Sequence, residues 1–211
     1  MGSIVQIIGR SSSHFTRVAR IFALELGIPH ELIPVYEPLA MDVATFGGNP
    51  ALKIPALKRG ASILIGTENI CRALADHAGG KARIVWPEEL RSDLCRNANE
   101  MLWHSMAAEV QLAMGVLTSK LPADNAFFAK IRAGFEGALG WLDQNLSAVL
   151  ASLAADRSFS LFEVALFCLL EHLSFRGTLP VAPYPALVAF AKTFGQRPSA
   201  KQTPYAFDKP P

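Results

Sequence analysis

The chain has 211 residues, of which 51% are apolar and 18% charged, and its formal net charge is +2. This composition is typical of a folded protein with a sizeable core and excludes a disordered chain. Basic and acidic residues are interspersed, so we expect no nucleic-acid partner. The longest apolar stretch, residues 161–170, contains Glu163 and is too short to span a membrane.

The N-terminal residues and the cysteines predict where the protein is located. The opening MGSIVQIIGR has no charged start and no long apolar core, so we expect no secretory signal. Cys71, Cys95 and Cys168 are scattered and form no CxxC pair. Reduced, buried thiols are typical of the cytoplasm, and this spacing predicts neither a disulfide framework nor a metal site.

The first part of the sequence predicts a small mixed sheet with helices on its faces. Residues 4–8 are an apolar run of strand length, and residues 15–26 have the spacing of a half-buried helix. With a second strand at 31–35, they predict a right-handed βαβ unit. A loop with one helical turn follows, then a hairpin within 53–65 and a helix at about 69–77. This order predicts an α/β thioredoxin-like N-terminal domain over residues 1–80.

The remainder predicts a second, all-α helical C-terminal domain over residues 88–211. Residues 81–89 have the composition of a linker, and beyond them we expect no strand. Ser160 and Glu163 form an S-x-x-E capping box before an apolar run that we expect to be the central buried helix. Residues 197–211 are rich in proline and predict an irregular tail. The predicted helices of this domain are residues 91–117, 125–150, 160–175 and 185–194.

Candidate binding residues cluster around the predicted hairpin. Pro55 cannot donate to a sheet ladder, so it must occupy an edge or the first position of a strand, and its peptide bond can be cis. A cis bond would leave the backbone N–H and C=O of Ile54 as a free edge for a peptide-like ligand. Glu68 and Asn69 lie at a helix start, where backbone N–H groups favour an anionic group, or where Asn69 could act as the helix cap.

The segment NPALKIPAL (residues 49–57), followed by TEN (residues 67–69), resembles the NPxGKVPAL…ES signature of glutathione S-transferases. The resemblance implies that the Ile54–Pro55 loop pairs with the cysteinyl backbone of glutathione and that Lys53 meets its glycyl carboxylate. It also implies that Glu68 and Asn69 hold the γ-glutamyl end. This sequence departs from the signature in two places: Asn69 replaces the usual Ser, and Ala51-Leu52 removes a Gly.

Ser13 is the candidate catalytic residue, because SHFTR (residues 13–17) resembles the SPFxRxV motif of the same family. The resemblance implies that the Ser13 hydroxyl donates a hydrogen bond to the thiolate of glutathione, the reactive form of the thiol. The alternative is that Ser11, Ser12 and Ser13 are only helix caps. Ser11 and Ser12 are weaker candidates. We expect His14 to be a solvated histidine at the helix start.

On the first long helix of the second half, Trp103 and Met106 are candidates for the electrophile pocket, because the resemblance implies that this helix lines it. The alternative is that both belong to the core or to a subunit interface. We expect His104 to have no catalytic role and His172 to be structural.

The resemblance implies a cytosolic, serine-type, bacterial-like glutathione S-transferase. Such an enzyme joins glutathione, its co-substrate, to a small apolar electrophile, is cytoplasmic and forms a homodimer; a membrane or nucleic-acid partner is not expected. Two alternatives stay open. One is another glutathione-dependent enzyme on the same fold, such as an isomerase, dehalogenase or lyase. The other is a non-catalytic transferase-like module that binds protein partners.

Overall fold

The computed structural model of the protein describes residues 4–60, 62–80 and 82–210. Ala61 in the predicted hairpin, Lys81 at the start of the predicted linker and Pro211 at the end of the predicted tail lie outside the described residues. The chain forms two compact units, Met1–Arg83 with Gln196–Pro211 and, between them, Ile84–Gly195. Residues 196–211, which the sequence groups with the helical half, are therefore part of the first unit.

The first unit contains a four-stranded sheet with the order β2-β1-β3-β4. Strands β1 and β2 are parallel, and β3 is antiparallel to both β1 and β4. Helix α1 joins β1 to β2, and α2 follows β4. The predicted thioredoxin-like fold is confirmed. Its elements are β1 (Val5–Gly9), α1 (His14–Glu25), β2 (His30–Pro34), β3 (Ala56–Arg59), β4 (Ser62–Ile65) and α2 (Thr67–His77).

The central strand β1 is buried on both faces, which explains its continuous apolar run. Ile7 and Ile8 are successive residues and point to opposite faces of the sheet. Ile7 is fully buried, and Ile8 packs in a cluster with Val35, Phe46 and Ala56. A strand buried on both faces does not show the apolar–polar alternation of a half-exposed strand.

The predicted start of α2 was wrong by two residues. The helix begins at Thr67, and its N-cap is Gly66, with a φ of 91°. Glycine adopts such a positive φ at little steric cost. Neither Glu68 nor Asn69 is therefore the cap of this helix. The prediction of one helical turn after β2 was correct, since Val43–Phe46 form a 3₁₀ turn.

The second unit is predominantly helical, as predicted. Helix α5 is buried almost all round, and the Ser160 hydroxyl caps it by accepting a hydrogen bond of 3.0 Å from the N–H of Glu163. No helix among the described residues has the length and apolarity needed to cross a membrane. The helices are α3 (Asp93–Leu112), which continues as a π-helical turn at Ala113–Thr118, α4 (Ala126–Ser152), α5 (Leu161–Arg176) and α6 (Pro185–Phe194).

The expectation of no strand in the second unit was wrong. Strands β5 (Ile84–Val85) and β6 (Phe159–Ser160) pair in parallel. Both residues of β5 are buried, so this part of the predicted linker is a structured part of the second unit. Strands of two residues are too short to produce a periodic pattern, because the period itself is two.

Residues 196–210, which we call the strap, run along the outside of α1. Arg197 at its start donates two hydrogen bonds, of 2.8 and 2.6 Å, to the two carboxylate oxygens of Glu25 at the end of α1. The Ser199 hydroxyl donates to the same carboxylate. Ser199 lies in a short helix, α7 (Pro198–Lys201), so the prediction of a wholly irregular tail was wrong.

A second contact holds the middle of the strap on α1. The Arg17 guanidinium donates to the Thr203 hydroxyl (3.3 Å) and to the Ala200 carbonyl (3.2 Å), and it lies over the ring of Tyr205. Arg17 is only 4% exposed, so its charge is stabilised by these contacts rather than by water.

We expect Glu25→Gln to destabilise the protein by about 2 kcal/mol at pH 7, the usual size for hydrogen bonds to a charged group. Burial raises the pKa of Glu25, but the hydrogen bonds from Arg197 and Ser199 outweigh it, and the pKa lies below 4.5. The stabilisation is therefore complete above about pH 4.5 and is lost as the pH falls through the folded-state pKa.

Urea denaturation of both proteins at pH 7 and near pH 3.5 measures this loss. Glu37→Gln is the matched control, because Glu37 is exposed and its carboxylate makes no contact among the described residues. A Glu25→Gln deficit that stays the same at both pH values would contradict the proposed ion pair.

Candidate functional site

Three chain segments meet at one end of the sheet in the first unit. The strand register places Ile8 opposite Ala56 and Ala56 opposite Ile65. Neighbouring strands are about 4.8 Å apart, so these three positions lie within about 10 Å of one another. The loop after β1, the segment before β3 and the start of α2 all begin at this end. The sheet therefore brings Ser13, Ile54–Pro55 and Glu68–Asn69 to the same end of the sheet.

Ser13 is the N-cap of α1, and its side chain remains able to donate a hydrogen bond. Its Oγ accepts a hydrogen bond of 3.2 Å from the N–H of Thr16, as the cap interpretation predicts. Among residues 4–60, 62–80 and 82–210 the Ser13 hydroxyl has no acceptor. Its hydrogen can therefore be donated to a ligand at the positive end of the helix. Capping and ligand binding are compatible at this residue.

The backbone just before Ser13 carries a cation that the sequence analysis did not single out. We call residues 10–13 the serine loop. Arg10 donates from Nε to the Ser12 hydroxyl (3.2 Å) and from Nη1 to the Tyr36 carbonyl (3.0 Å). These contacts hold a half-buried guanidinium beside the start of α1. In the sequence, Arg10 could have been noticed because it directly follows an apolar strand and precedes three serines.

His14 is not solvated, contrary to expectation. It is 2% exposed, and its ring packs at 4.6 Å, between centroids, from that of Phe15. Gly9 permits close packing of the first turn of α1 against β1, since a Cβ there would collide with the side chain of Thr16.

The Ile54–Pro55 peptide bond is cis, as the sequence analysis allowed. Pro55 is buried, Ile54 is half-buried and Lys53 is exposed. Within the part of the chain that the structure describes, the backbone N–H and C=O of Ile54 make no hydrogen bond. Ile54 thus presents one free backbone donor and one free backbone acceptor just before β3, the two groups that a peptide ligand can pair with.

Asn49 fixes the segment that leads to Ile54. Its amide donates to the Lys53 carbonyl (2.7 Å) and its Oδ1 accepts from the N–H of Ala51 (3.0 Å), while the side chain is 4% exposed. Leu52, within this clasp, has a φ of 53°. This is the left-handed region, which glycine enters without steric cost. The family signature has Gly at the position of Leu52, and the backbone there adopts the conformation that suits Gly.

Glu68 and Asn69 lie in the first turn of α2, and both have partners there. Arg72 donates from Nε (2.9 Å) and Nη2 (2.7 Å) to one carboxylate oxygen of Glu68. The Asn69 amide donates to the Ile65 carbonyl (3.1 Å). In the described residues the second carboxylate oxygen of Glu68 accepts no hydrogen bond, and an amide has a second hydrogen to donate. Both side chains keep capacity for a ligand.

The candidates on α3 differ from one another in exposure. Met106 is 0% exposed, so its side chain has no surface to offer a substrate and belongs to the core of the second unit. Trp103 is half-buried and stays a prediction. His104 is exposed on the same helix.

The structural role predicted for His172 agrees with its contacts. Its Nδ1 is 2.7 Å from a carboxylate oxygen of the buried Glu109, and the Thr178 hydroxyl donates to the other oxygen (2.6 Å). No group of three or more His, Cys, Asp or Glu side chains suited to a metal ion occurs in the described ranges.

Comparison with known proteins agrees with this geometry. A thioredoxin-like sheet followed by a helical unit is the architecture of glutathione S-transferases. Residues 12–77 match the family model of the glutathione S-transferase N-terminal domain. Together with the solved structures below, this match shows that the chain has the glutathione S-transferase fold, as the sequence motifs predicted. No curated protein sequence matches the chain.

Solved structures of bacterial glutathione transferases are similar over almost the whole chain. One from Pseudomonas fluorescens Pf-5, with bound glutathione, has a TM-score of 0.77 at 23% identity and covers 96% of this chain and 99% of its own. A glutathione S-transferase from Methylobacterium radiotolerans, in complex with glutathione sulfonate, has a TM-score of 0.74 at 21% identity and covers 99% of both chains. At these identities the similarity establishes the fold.

We expect Asn49→Ala to destabilise the protein by about 2 kcal/mol, because it removes two buried hydrogen bonds and leaves the Lys53 carbonyl without its donor. Urea denaturation gives the free energy, and amide hydrogen exchange at Ala51 reports on the segment itself. Asn97→Ala, on the exposed side of α3, is the control and should not destabilise. A loss below about 0.5 kcal/mol for Asn49→Ala would show that the clasp contributes little.

Proposed function

We propose that the protein is a glutathione transferase whose glutathione site is the end of the sheet where Ser13, Ile54 and Glu68 lie together. The observation that carries this proposal is the unpaired backbone of Ile54. A buried proline holds it in place, and Asn49 fixes the segment before it. A peptide lying along this edge can exchange two hydrogen bonds with Ile54, and glutathione is a peptide with one extended cysteinyl unit.

Ser13 is the group suited to hold the sulfur of glutathione. A free thiol is mostly protonated near neutral pH, whereas the thiolate is the nucleophile. A hydroxyl donor at a helix N-terminus stabilises the anion more than the neutral thiol. Lowering the thiol pKa by about two units requires about 2.7 kcal/mol of such stabilisation. Arg10, on the same loop, adds a positive charge that also lowers the thiol pKa.

The first turn of α2 is suited to the γ-glutamyl end. Its backbone N–H groups at Thr67, Glu68 and Asn69 have no earlier carbonyl in the helix to bond, so they are available to a carboxylate. The second amide hydrogen of Asn69 adds a donor. Glu68 supplies an acceptor for the glutamyl ammonium through the oxygen that Arg72 leaves open. Lys53, exposed beside Ile54, is placed to meet the glycyl carboxylate as a point charge.

In the proposed reaction, the thiolate attacks the electrophilic carbon of a small apolar substrate, and the leaving group departs with its electron pair. The residues described above supply orientation and stabilise the thiolate. Trp103 stays a proposed contact of the electrophile. We propose a cytoplasmic homodimer, as the family resemblance implies. Isomerase, dehalogenase or lyase chemistry would use the same thiolate, so substrate screening distinguishes these reactions.

We expect Ser13→Ala to retain glutathione binding within about tenfold but to raise the pKa of the bound thiol by one to two units, since it removes the hydroxyl donor. The ultraviolet absorbance of the thiolate as a function of pH measures this pKa, and calorimetric titration measures the binding. We also expect kcat/KM with a model electrophile to fall at least tenfold at pH 6.5 and to recover as the pH rises.

Ser92→Ala is the matched control for the loss of a helix cap. Ser92 caps α3 in the second unit through the N–H of Cys95, at the same 3.2 Å distance. Both variants should lose about 1 kcal/mol of stability from the missing cap, but only Ser13→Ala should change the thiol pKa. If neither variant changes it, Ser13 is only a cap. If the wild type binds no glutathione, the proposed function is wrong.

Removing the carboxylate of Glu68 tests the γ-glutamyl contact. Glu68→Ala should weaken glutathione binding by roughly tenfold to a hundredfold, because the glutamyl ammonium loses its charged acceptor. Stability should change by less than about 0.5 kcal/mol, since the ion pair with Arg72 is partly exposed and only four residues apart.

The matched variant Arg72→Ala breaks the same ion pair and keeps the carboxylate. Calorimetry on both variants therefore separates ligand binding from helix stability. Equal weakening in the two variants would argue against direct contact between Glu68 and glutathione.

A further inference from the structure

The strap ends at the serine loop. Its contacts with the α1 region follow one another along the helix: Arg197 contacts the end of the helix, Thr203 and Ala200 contact Arg17 in the middle, and Asp208 contacts the loop before the helix. At this last contact the N–H of Ser11 donates to the Asp208 carboxylate at 2.8 Å. A residue 197 positions away in sequence thus touches the loop that contains Ser13.

The Ser11–Asp208 hydrogen bond completes a set of contacts that fix the serine loop. The N–H of Ser13 donates to the Arg10 carbonyl (3.1 Å), and the N–H of Arg10 donates to the Thr16 hydroxyl (3.4 Å). Side-chain contacts of Arg10 hold the loop from the other side. Asp208 on the strap contacts the loop at Ser11 from outside the loop and α1, and the Tyr36 carbonyl contacts it in the same way at the Arg10 side chain.

The charges around this loop are mostly positive. Arg10 lies on the loop itself, and Arg17 and Arg20 project from α1. Burial lowers the pKa of Arg20, while Coulombic attraction to Asp208 raises it and repulsion by Arg17 lowers it. Asp208 is an acidic group that faces Arg20 from the strap, and the titratable residues His14, Tyr36 and Tyr205 also lie close to the loop or to these arginines.

We propose that Asp208 is a positioning residue of the thiolate site: its carboxylate fixes the serine loop through Ser11 so that the Ser13 hydroxyl points to the sulfur. This role rests on the proposed function. Asp208 acts through Ser11 and does not touch the substrate. It exerts two opposite effects on the thiol, because it orients the donor that stabilises the thiolate and also places a negative charge near it.

Two substitutions separate these effects. Asp208→Asn keeps an oxygen acceptor for the N–H of Ser11 but removes the charge. Ser11 is two residues from Ser13, a span of at most about 7 Å, so removing the charge should lower the pKa of the bound thiol by about half a unit. Asp208→Ala also removes the acceptor. It should raise the thiol pKa by about one unit and reduce kcat/KM about tenfold near pH 6.5.

The experiment follows thiolate absorbance of bound glutathione against pH in the wild type and in four variants. Lys209→Ala and Arg197→Ala are the controls: the first removes a neighbouring exposed charge, and the second loosens the strap at its far end. Shifts of opposite sign for Asp208→Asn and Asp208→Ala, with neither control shifting, support the proposal. Equal shifts for the two Asp208 variants, or a rise in Arg197→Ala as large as that in Asp208→Ala, overturn it.

A measurement without glutathione tells the failure of this role from the failure of the proposed function. The amide hydrogen of Ser11 should exchange with solvent more slowly in the wild type than in Asp208→Ala, because only the wild type offers it an acceptor. Equal exchange rates in the two proteins overturn the contact. Slow exchange in the wild type without glutathione binding leaves the contact in place and overturns both the proposed function and the positioning role.

Discussion

The register of the central hairpin against β1 is the constraint on which the candidate site depends. Because Ile8, Ala56 and Ile65 lie side by side, the segments before Ala56 and after Ile8 and Ile65 begin at the same end of the sheet. A shift of one residue would move every side chain of β3 to the other face. The apolar cluster around Ile8 and Phe46 on one face, and Ile7 on the other, prevent such a shift.

The site is built mainly from backbone groups whose positions the fold determines. The N–H and C=O of Ile54 and the first amides of α2 are backbone groups left unpaired beside the end of a strand or helix. Side chains then add direction and charge. In the proposed function, Asn69 takes the place of the family's serine because the helix terminus supplies most of the donors and the side chain needs to donate only one hydrogen.

The strap connects this site to a distant part of the sequence. Arg197 and Glu25, then Arg17 and Thr203, hold it along α1, and Asp208 further along the strap contacts the serine loop. A buried arginine such as Arg17 is costly without partners, so the strap stabilises α1 as much as α1 positions the strap.

The sequence alone determined the thioredoxin-like order of elements, the buried character of α5, the Ser160 cap and the candidate residues around Pro55, because each rests on a short local pattern or motif. The tertiary structure alone decided what depends on residues far apart. It paired Ile84–Val85 with Phe159–Ser160, buried Met106 and His14, placed the strap in the first unit and brought Asp208 to Ser11. Such contacts follow from packing between distant segments, because the periodicity of one segment does not say which other segment it will contact.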